Sequence, residues 1–284
     1  MRSIKERTQN LIHHFKLSTS GQIHGKDSYH LDYEGGVCRQ DELSKLIRDT
    51  VIFFALSSKE LESLDSDSLA KLQKRAWGRI SDRKSSMKGD YGELLLFLIL
   101  EVYYPAKKFV TKARLRSSKG DEIKGYDCAH FSIEDDGEIC LWLGEAKFHQ
   151  SFSSAITKAT ESINKHLTIK SIKDELSILE GNIDIQGEEA EKLEDFLNSG
   201  KSIDKIKFKI PILLTYDSSV VQSNSSICEK FSDELTEELN SHYLNIEGKK
   251  FTNPENFELH FILLPLKQVK EIKDFLEIIE KTHK

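Results

Sequence analysis

Hydrophobic residues along the chain follow a helical spacing up to residue 104. Apolar positions recur every three or four residues over 41–56 and 66–80, and segment 92–104 is almost wholly apolar. This pattern predicts three helices, the third of them buried, with Asp41 as the N-cap of the first. The first 40 residues show no clear period beyond a turn at Gly35 and Gly36.

After residue 104 the spacing changes to that of strands. Segments 107–116, 126–133 and 138–148 are predicted strands, and the turn sequence Glu-Asp-Asp-Gly joins the last two as a hairpin. The pattern then predicts helices at 151–169, 226–244 and 267–283, and strands at 205–217 and 257–266. Strands that alternate with helices indicate an α/β fold with a mixed central sheet flanked by helices.

No repeat, low-complexity tract or Pro-rich linker divides the chain. We expect a mainly helical region at 1–86 that packs on a core formed by 87–284. Within the core, segment 171–200 carries nine acidic residues against two lysines. This acidic insertion is predicted to be either a solvated helical pair or a surface for a partner.

Composition favours a globular cytoplasmic protein. The 284 residues are 38% hydrophobic and 31% charged, and no apolar run is long enough to span a bilayer. The N-terminal residues lead into no apolar signal segment. The four cysteines form no Cys-x-x-Cys pair, so we expect reduced thiols rather than disulfides or a zinc site.

Charge is distributed unevenly along the chain. The formal net charge is −6, which argues against an independent nucleic-acid-binding protein. Segment 71–124, however, contains fourteen Lys and Arg against six acidic residues, a local charge of +8. A basic segment directly before a group of carboxylates suits a phosphodiester substrate.

The carboxylates are found where the apolar strand 138–148 ends in Glu145-Ala146-Lys147. Glu145 and Lys147 share one face because strand side chains alternate. If the hairpin loop has three residues, paired residue numbers sum to 272 and Asp127 lies opposite Glu145. A two-residue loop would instead place Asp127 opposite Gly144, on the wrong face.

In the first register, Asp127 and Glu145 could share a hard divalent cation with the backbone carbonyl of Ala146. Lys147 would then hold or activate an attacking water, which predicts phosphodiester hydrolysis. Glu-x-Lys alone is a weak motif, because it also begins at Glu122, Glu247 and Glu271. The structural alternative is a salt bridge at the end of a sheet.

These motifs resemble the PD-(D/E)XK nuclease superfamily over roughly residues 87–215. The resemblance consists of Asp127 and Glu145-Ala146-Lys147 on two strands, preceded by a helix that carries Gly-Asp-Tyr-Gly-Glu, although Tyr126 replaces the proline of the pattern. It implies a restriction-endonuclease-like core. It also implies that Glu93 joins the catalytic site, with Asp90 a weaker candidate; the alternative is a glutamate favoured by the helix dipole.

Over most of its length the chain is similar to the HamA family of Hachiman antiphage defence systems. The similarity lies in residues 32–36 and 39–56, in 88–101, and in 125–130 and 143–151. It implies a deoxyribonuclease that depends on Mg²⁺, or on Mn²⁺ in its place. It further implies a heterodimer with a helicase, HamB, which restrains the nuclease until foreign or damaged DNA is sensed.

Several basic residues are candidates for contacts with the DNA backbone. The alternative for His149 is an exposed position at a strand end, and the alternative for Lys158 is a solvated helix face. The candidates are Lys88, Lys112, Arg114, Arg116, His149 and Lys158.

Two other functions remain open. The fold could be a catalytically inactive module that binds DNA or protein, or the enzyme could be a sequence-specific restriction endonuclease.

Overall fold

The computed structural model describes residues 1–17, 24–62, 69–81, 90–111, 126–180, 187–252 and 257–282. The described helices are α1 Arg2–Gln9, α2 Gln40–Ala55, α3 Ser58–Glu62, α4 Leu69–Ser81, α5 Asp90–Tyr103, α6 Phe152–His166, α7 Ile169–Glu180, α8 Glu188–Asn198, α9 Ser219–Ser223, α10 Glu229–Glu247 and α11 Val269–Thr282. The described strands are β1 Ile12–His14, β2 Gly25–Leu31, β3 Tyr33–Glu34, β4 Val37–Cys38, β5 Lys107–Thr111, β6 Cys128–Ile133, β7 Ile139–Phe148, β8 Lys207–Asp217 and β9 Phe257–Leu266. A 3₁₀ turn at Ile203–Lys205 precedes β8.

Seven of these strands form one mixed sheet in the order β1-β2-β9-β8-β7-β6-β5. Strands β2, β9, β8 and β7 run parallel to one another, while β6 and β5 continue antiparallel from β7. Parallel strands need crossover connections, and helices α6 and α10 lie in the two connections between β7, β8 and β9. The predicted α/β fold with a mixed central sheet and flanking helices is confirmed.

Strand β7 is covered by helices on both faces. An added Cβ at Gly92 of α5 would lie 3.4 Å from the Cβ of Ala146, and one at Gly144 would lie 2.8 Å from Leu96 of the same helix. Helix α5 therefore packs on the face of β7 that carries Gly144 and Ala146. Because side chains alternate, Glu145 and Lys147 point to the opposite face.

The β6–β7 hairpin adopts the register with the three-residue loop. Its pairs run from Cys128 with Gly144 to Ile133 with Ile139, so paired numbers sum to 272 as the first alternative requires. Glu134 N–H donates to the Glu138 carbonyl at 2.9 Å, and Gly137 has a φ of +81°. A left-handed glycine in the third loop position is the usual way to close such a hairpin.

Strands as well as helices form the N-terminal part, and one expectation for it needs correction. Strands β1 and β2 belong to the central sheet, since β2 pairs with β9, while α1, α2, α3 and α4 are helical. Strand β2 shows no apolar alternation because residues 28–31 are all buried and two of them, Ser28 and His30, are polar. Asp41 is not an N-cap: α2 begins at Gln40, Arg39 holds the cap position, and Asp41 lies in the first turn. The boundary at 86/87 itself stays a prediction.

The acidic insertion forms two helices, α7 and α8, as the helical-pair alternative requires. Glu175 of α7 is nevertheless buried. Elsewhere Cys38, Cys128, Cys140 and Cys228 are free thiols. Within the described ranges, no helix is both long and apolar enough to cross a membrane.

Candidate active site

Three residues singled out in the sequence come together at one end of the β6–β7 hairpin. Asp127 and Glu145 are buried, with 8% and 4% of their surface exposed. The Ala146 N–H donates to Asp127 Oδ2 at 2.9 Å, and Lys147 Nζ donates to Glu145 Oε1. The hairpin register and the alternation of β7 therefore place two carboxylates and one ammonium group side by side.

Asp127 lies just outside the regular ladder. The Asp127 N–H donates to the Gly144 carbonyl at 2.9 Å. The Asp127 carboxylate accepts from the N–H of Ala146, two residues further along β7. The side chain thus takes over a hydrogen bond that a continuing strand would have supplied, which satisfies the buried amide of Ala146. This local departure from strand geometry fixes the carboxylate of Asp127 beside Glu145.

The electrostatics of the pair are unfavourable for two ionised carboxylates. Burial raises the pKa of Glu145, and the neighbouring charge of Asp127 raises it further. Lys147 and a hydrogen bond from Ser162 lower the pKa of Glu145, and these effects are the smaller ones. Burial and the charge of Asp127 thus outweigh Lys147 and Ser162 in setting the pKa of Glu145.

Three lysine ammonium groups lie near His149, the residue that follows β7. Burial lowers the pKa of His149, and the charges of Lys273, Lys147 and Lys158 lower it further, which places these three ammonium groups near the ring. Lys273 Nζ lies 5.4 Å from the centre of the Phe148 ring. The structure thus brings predicted contacts His149 and Lys158 to the side of the site, and adds Lys273.

Sequence reasoning missed Ser162 and Lys273. Ser162 lies on α6 and bonds Glu145 across the sheet face, but no local pattern distinguishes it from the other polar residues of that helix. Lys273 belongs to the Glu271-Ile-Lys273 copy of the motif, and no sequence pattern connects that copy with β7. Its position depends on how α11 packs, so only the tertiary fold reveals it.

The structure gives less information about the other residues predicted for the site. Glu93 is buried on α5, and its charge, with that of Asp127 and Glu145, helps to raise the pKa of the Cys128 thiol above the value that burial sets. Glu93 is therefore within electrostatic reach of the hairpin end, while its catalytic role stays a prediction. Asp90 is the first residue of α5. Lys88, Lys112, Arg114 and Arg116 lie outside the described residues.

The donor set suits a hard divalent cation. Mg²⁺ is commonly held by one or two carboxylates together with water and substrate phosphate oxygens, and Asp127 and Glu145 offer such a pair. A cation between them would offset the repulsion that raises the pKa of Glu145. In the part of the chain that the structure describes, no group of three or more His, Cys, Asp or Glu side chains could hold a metal. The Ala146 carbonyl remains a predicted third donor.

Comparison with known proteins places the chain in a family. A search of the curated proteins found no significant match to the chain. The family model named HamA matches residues 7–279, which is nearly the whole sequence and includes Asp127, Glu145 and Lys147. The chain therefore belongs to the HamA family and is a protein associated with Hachiman defence.

Proposed function

We propose that this protein is a metal-dependent DNA endonuclease, the effector subunit of a Hachiman antiviral complex. The observation that carries the proposal is the buried pair Asp127 and Glu145 with Lys147 bonded to it at a strand end. Buried charges are rare unless they are paired or functional, and here burial and the charge of Asp127 raise the pKa of Glu145 although Lys147 lies beside it. Such an arrangement favours the binding of a cation and an anionic substrate more than it favours the stability of the fold.

In this mechanism, Asp127 and Glu145 would hold Mg²⁺, or Mn²⁺ in its place. The bound ion would supply Lewis-acid stabilisation of the phosphate and acidify a bound water. Lys147 orients the attacking water and stabilises negative charge that develops on the phosphate. The positive charges of Lys158 and Lys273 would position the flanking phosphates of the strand, and the neutral His149 ring would donate a hydrogen bond to one of them.

The direct test is nicking of supercoiled plasmid with Mg²⁺ or with EDTA. Asp127→Asn, Glu145→Gln and Lys147→Ala should each lower the nicking rate by at least about 100-fold, since each removes a group that acts in the transition state. The matched controls are Glu247→Gln and Lys249→Ala, in a second Glu-x-Lys copy whose glutamate pairs with Lys26 instead. Robust nicking by two of the three site variants would refute the proposal.

The products of the same reaction separate the remaining alternatives. A smear of fragments supports a nuclease without sequence preference, whereas discrete bands would indicate a restriction endonuclease. Retention of DNA without cleavage in Mg²⁺ or Mn²⁺ would instead indicate a catalytically inactive binding module.

We further propose that a helicase, HamB, delivers the nuclease to DNA and restrains it. The net charge of −6 repels a duplex at long range, so the isolated chain should bind DNA weakly, and a cationic partner would overcome this repulsion. Helix α8 is a candidate contact surface, since Glu188 and Glu189 have side chains that are 79% and 43% exposed. An acidic helix of this kind could speed association with a basic patch.

The partner surface can be tested by neutralising α8. Replacing Glu188, Glu189, Glu191 and Glu194 with glutamine should weaken the complex with the helicase and reduce its salt dependence, because rim charges act mainly on association. Affinity should be measured across a salt titration. Unchanged affinity would exclude α8 from the interface, and tight DNA binding by the isolated chain at physiological salt would remove the need for a partner.

A further inference from the structure

Two side chains from distant parts of the chain hold the beginning of helix α11. Asp217, the last residue of β8, accepts the Val269 N–H on Oδ1 at 2.7 Å. Gln40, the first residue of α2, accepts the Gln268 N–H on Oε1 at 2.8 Å and donates from Nε2 to Glu271 at 3.0 Å. The protein itself therefore uses two backbone donors that a helix start leaves without an intrahelical partner.

Asp217 also bonds the segment that follows β7. Its N–H donates to the Gln150 carbonyl at 2.8 Å, and its Oδ2 accepts from Gln150 Nε2 at 3.3 Å. Gln150 comes directly after His149, one of the predicted DNA contacts. A single half-buried residue thus connects the end of β7, the end of β8 and the first turn of α11.

Lys273 lies one helical turn beyond the residue of α11 that Asp217 holds. Residues four apart share one face of a helix, so Val269 and Lys273 lie on the same side of α11. Lys273 Nζ is 5.4 Å from the centre of the Phe148 ring, and Phe148 directly precedes His149. The distance between the Lys273 ammonium group and the end of β7 therefore depends on how firmly the first turn of α11 is held to the strand ends.

We propose that Asp217 is a positioning residue of the DNA-binding surface, and that it holds Lys273 in contact with a phosphate of the bound strand. The proposal rests on the function proposed above and adds to it a residue that acts through another side chain. A carboxylate beside a DNA-binding surface repels phosphate. The hydrogen bonds to Val269 and Gln150, which fix α11 against the strand ends, offset this disadvantage.

Charge and position predict opposite effects of removing this carboxylate. If Asp217 acted only through its charge, Asp217→Ala would remove a repulsion and strengthen DNA binding. Because Asp217 holds α11, we expect Asp217→Ala to weaken binding, since Lys273 loses its fixed position. Asp217→Asn removes the charge but keeps an oxygen that accepts from Val269, so this variant should bind DNA at least as tightly as wild type.

The test measures binding of the purified protein to a short labelled DNA duplex in EDTA, where cleavage is blocked. Fluorescence anisotropy is recorded across about 50–200 mM salt, because the slope of log affinity against log salt reports the number of phosphate contacts. Lys273→Ala should reduce this slope by about 1 and the affinity at the lowest salt by about fivefold.

Asp217→Ala should weaken binding about threefold and reduce the slope in the same direction. In a protein that already carries Lys273→Ala, the substitution at Asp217 should cause no further weakening, because both changes remove the same contact.

Val269→Pro is the second variant, and it decides the question if a thermal melt shows that Asp217→Ala is misfolded. It removes the N–H that Asp217 accepts, proline is favoured at the first position of a helix, and binding should weaken as in Asp217→Ala. The matched control is Glu60→Ala, since Glu60 also accepts from a backbone N–H at a helix start, that of Ser57, and pairs with Arg79. It should lower the melting temperature and leave the salt slope unchanged.

Equal or tighter DNA binding by Asp217→Ala would overturn the inference, and so would additive losses in the double variant or the absence of DNA binding at the lowest salt. Plasmid nicking in Mg²⁺ separates the two proposals. Nicking by wild-type protein, with an unchanged salt slope in Asp217→Ala, keeps the nuclease and rejects the positioning role. A shared loss of DNA binding in Asp217→Ala and Lys273→Ala, in a protein that does not nick, keeps the positioning role and rejects the nuclease.

Discussion

Replacing Gly144 with alanine should destabilise the protein, although glycine is normally a poor residue in a strand. Gly144 lies where α5 meets the β6–β7 hairpin. A Cβ there would lie 2.7 Å from Cys128 Sγ and 2.8 Å from Leu96 Cδ2. Carbon atoms in good contact are roughly 3.5–4.0 Å apart, so both buried side chains must move by about 1 Å.

The magnitude follows from two opposing effects. Overpacking of this kind costs about 1–3 kcal/mol, and removal of glycine from a strand recovers about 0.5–1 kcal/mol. The net loss for Gly144→Ala should therefore lie between about 0 and 2.5 kcal/mol in the free energy of unfolding, with about 1 kcal/mol as the central value. Because Glu145 is the next residue, the plasmid nicking rate should fall as well.

The control is the same substitution at Gly78 of α4, where an added Cβ meets no atom within 4 Å. Gly78→Ala should stabilise the protein by about 0.5–1 kcal/mol, since alanine is the better helix former. Urea unfolding followed by far-UV circular dichroism measures both changes. The double variant with Cys128→Ala should recover part of the loss at Gly144, as expected for residues in contact. The same sign of change at Gly144 and Gly78 would refute the packing argument.

Three further predictions concern buried polar groups. Burial lowers the pKa of His242 from 6.5 to about 4, so its contribution to stability is present above pH 6.5 and falls as the pH drops. His242→Phe keeps a ring stacked on Phe152, so between pH 7.5 and 5 it should lose about 1–2 kcal/mol less than the wild-type protein in urea unfolding, while the remaining loss comes from other buried histidines such as His130. Hydrogen bonds from His260, Tyr104 and His14 outweigh burial and lower the pKa of Asp27 from 3.8 to about 2. Asp27→Asn should therefore lower the free energy of unfolding by about 2 kcal/mol at pH 7 and by about half as much near pH 3. Tyr126→Phe should leave the melting temperature of the DNA-free protein unchanged or raise it, whereas Tyr33→Phe, which loses the bond to the Val221 carbonyl, should lower it; equal losses would contradict the assignment of a partnerless hydroxyl.

The pattern of the sequence was sufficient to predict most elements of the core. Strand β9 has the predicted bounds of 257–266, and β7 begins one residue later than expected. Long apolar runs and regular spacing determine such elements locally, because each strand or helix must bury its own apolar residues. The first 40 residues were not predictable in this way, since β2 is rich in polar residues that bond to distant parts of the chain.

The core of the candidate site was also accessible from the sequence. Asp127, Glu145 and Lys147 are related through one hairpin, so a single decision about loop length places them relative to each other. The sequence left that decision open between two registers. The structure selected the three-residue loop, in which Gly137 takes the left-handed conformation.

The sequence alone thus determined the α/β class, the order of most elements after residue 40 and the three residues at the hairpin end, because these depend on neighbours in the chain. The tertiary structure decided what surrounds them. Ser162 and Lys273 lie on helices that follow the hairpin, and Lys273 is 126 residues from Lys147. Which of their side chains reach the site depends on how each helix packs against the sheet, and that packing is set by the whole core rather than by any local pattern.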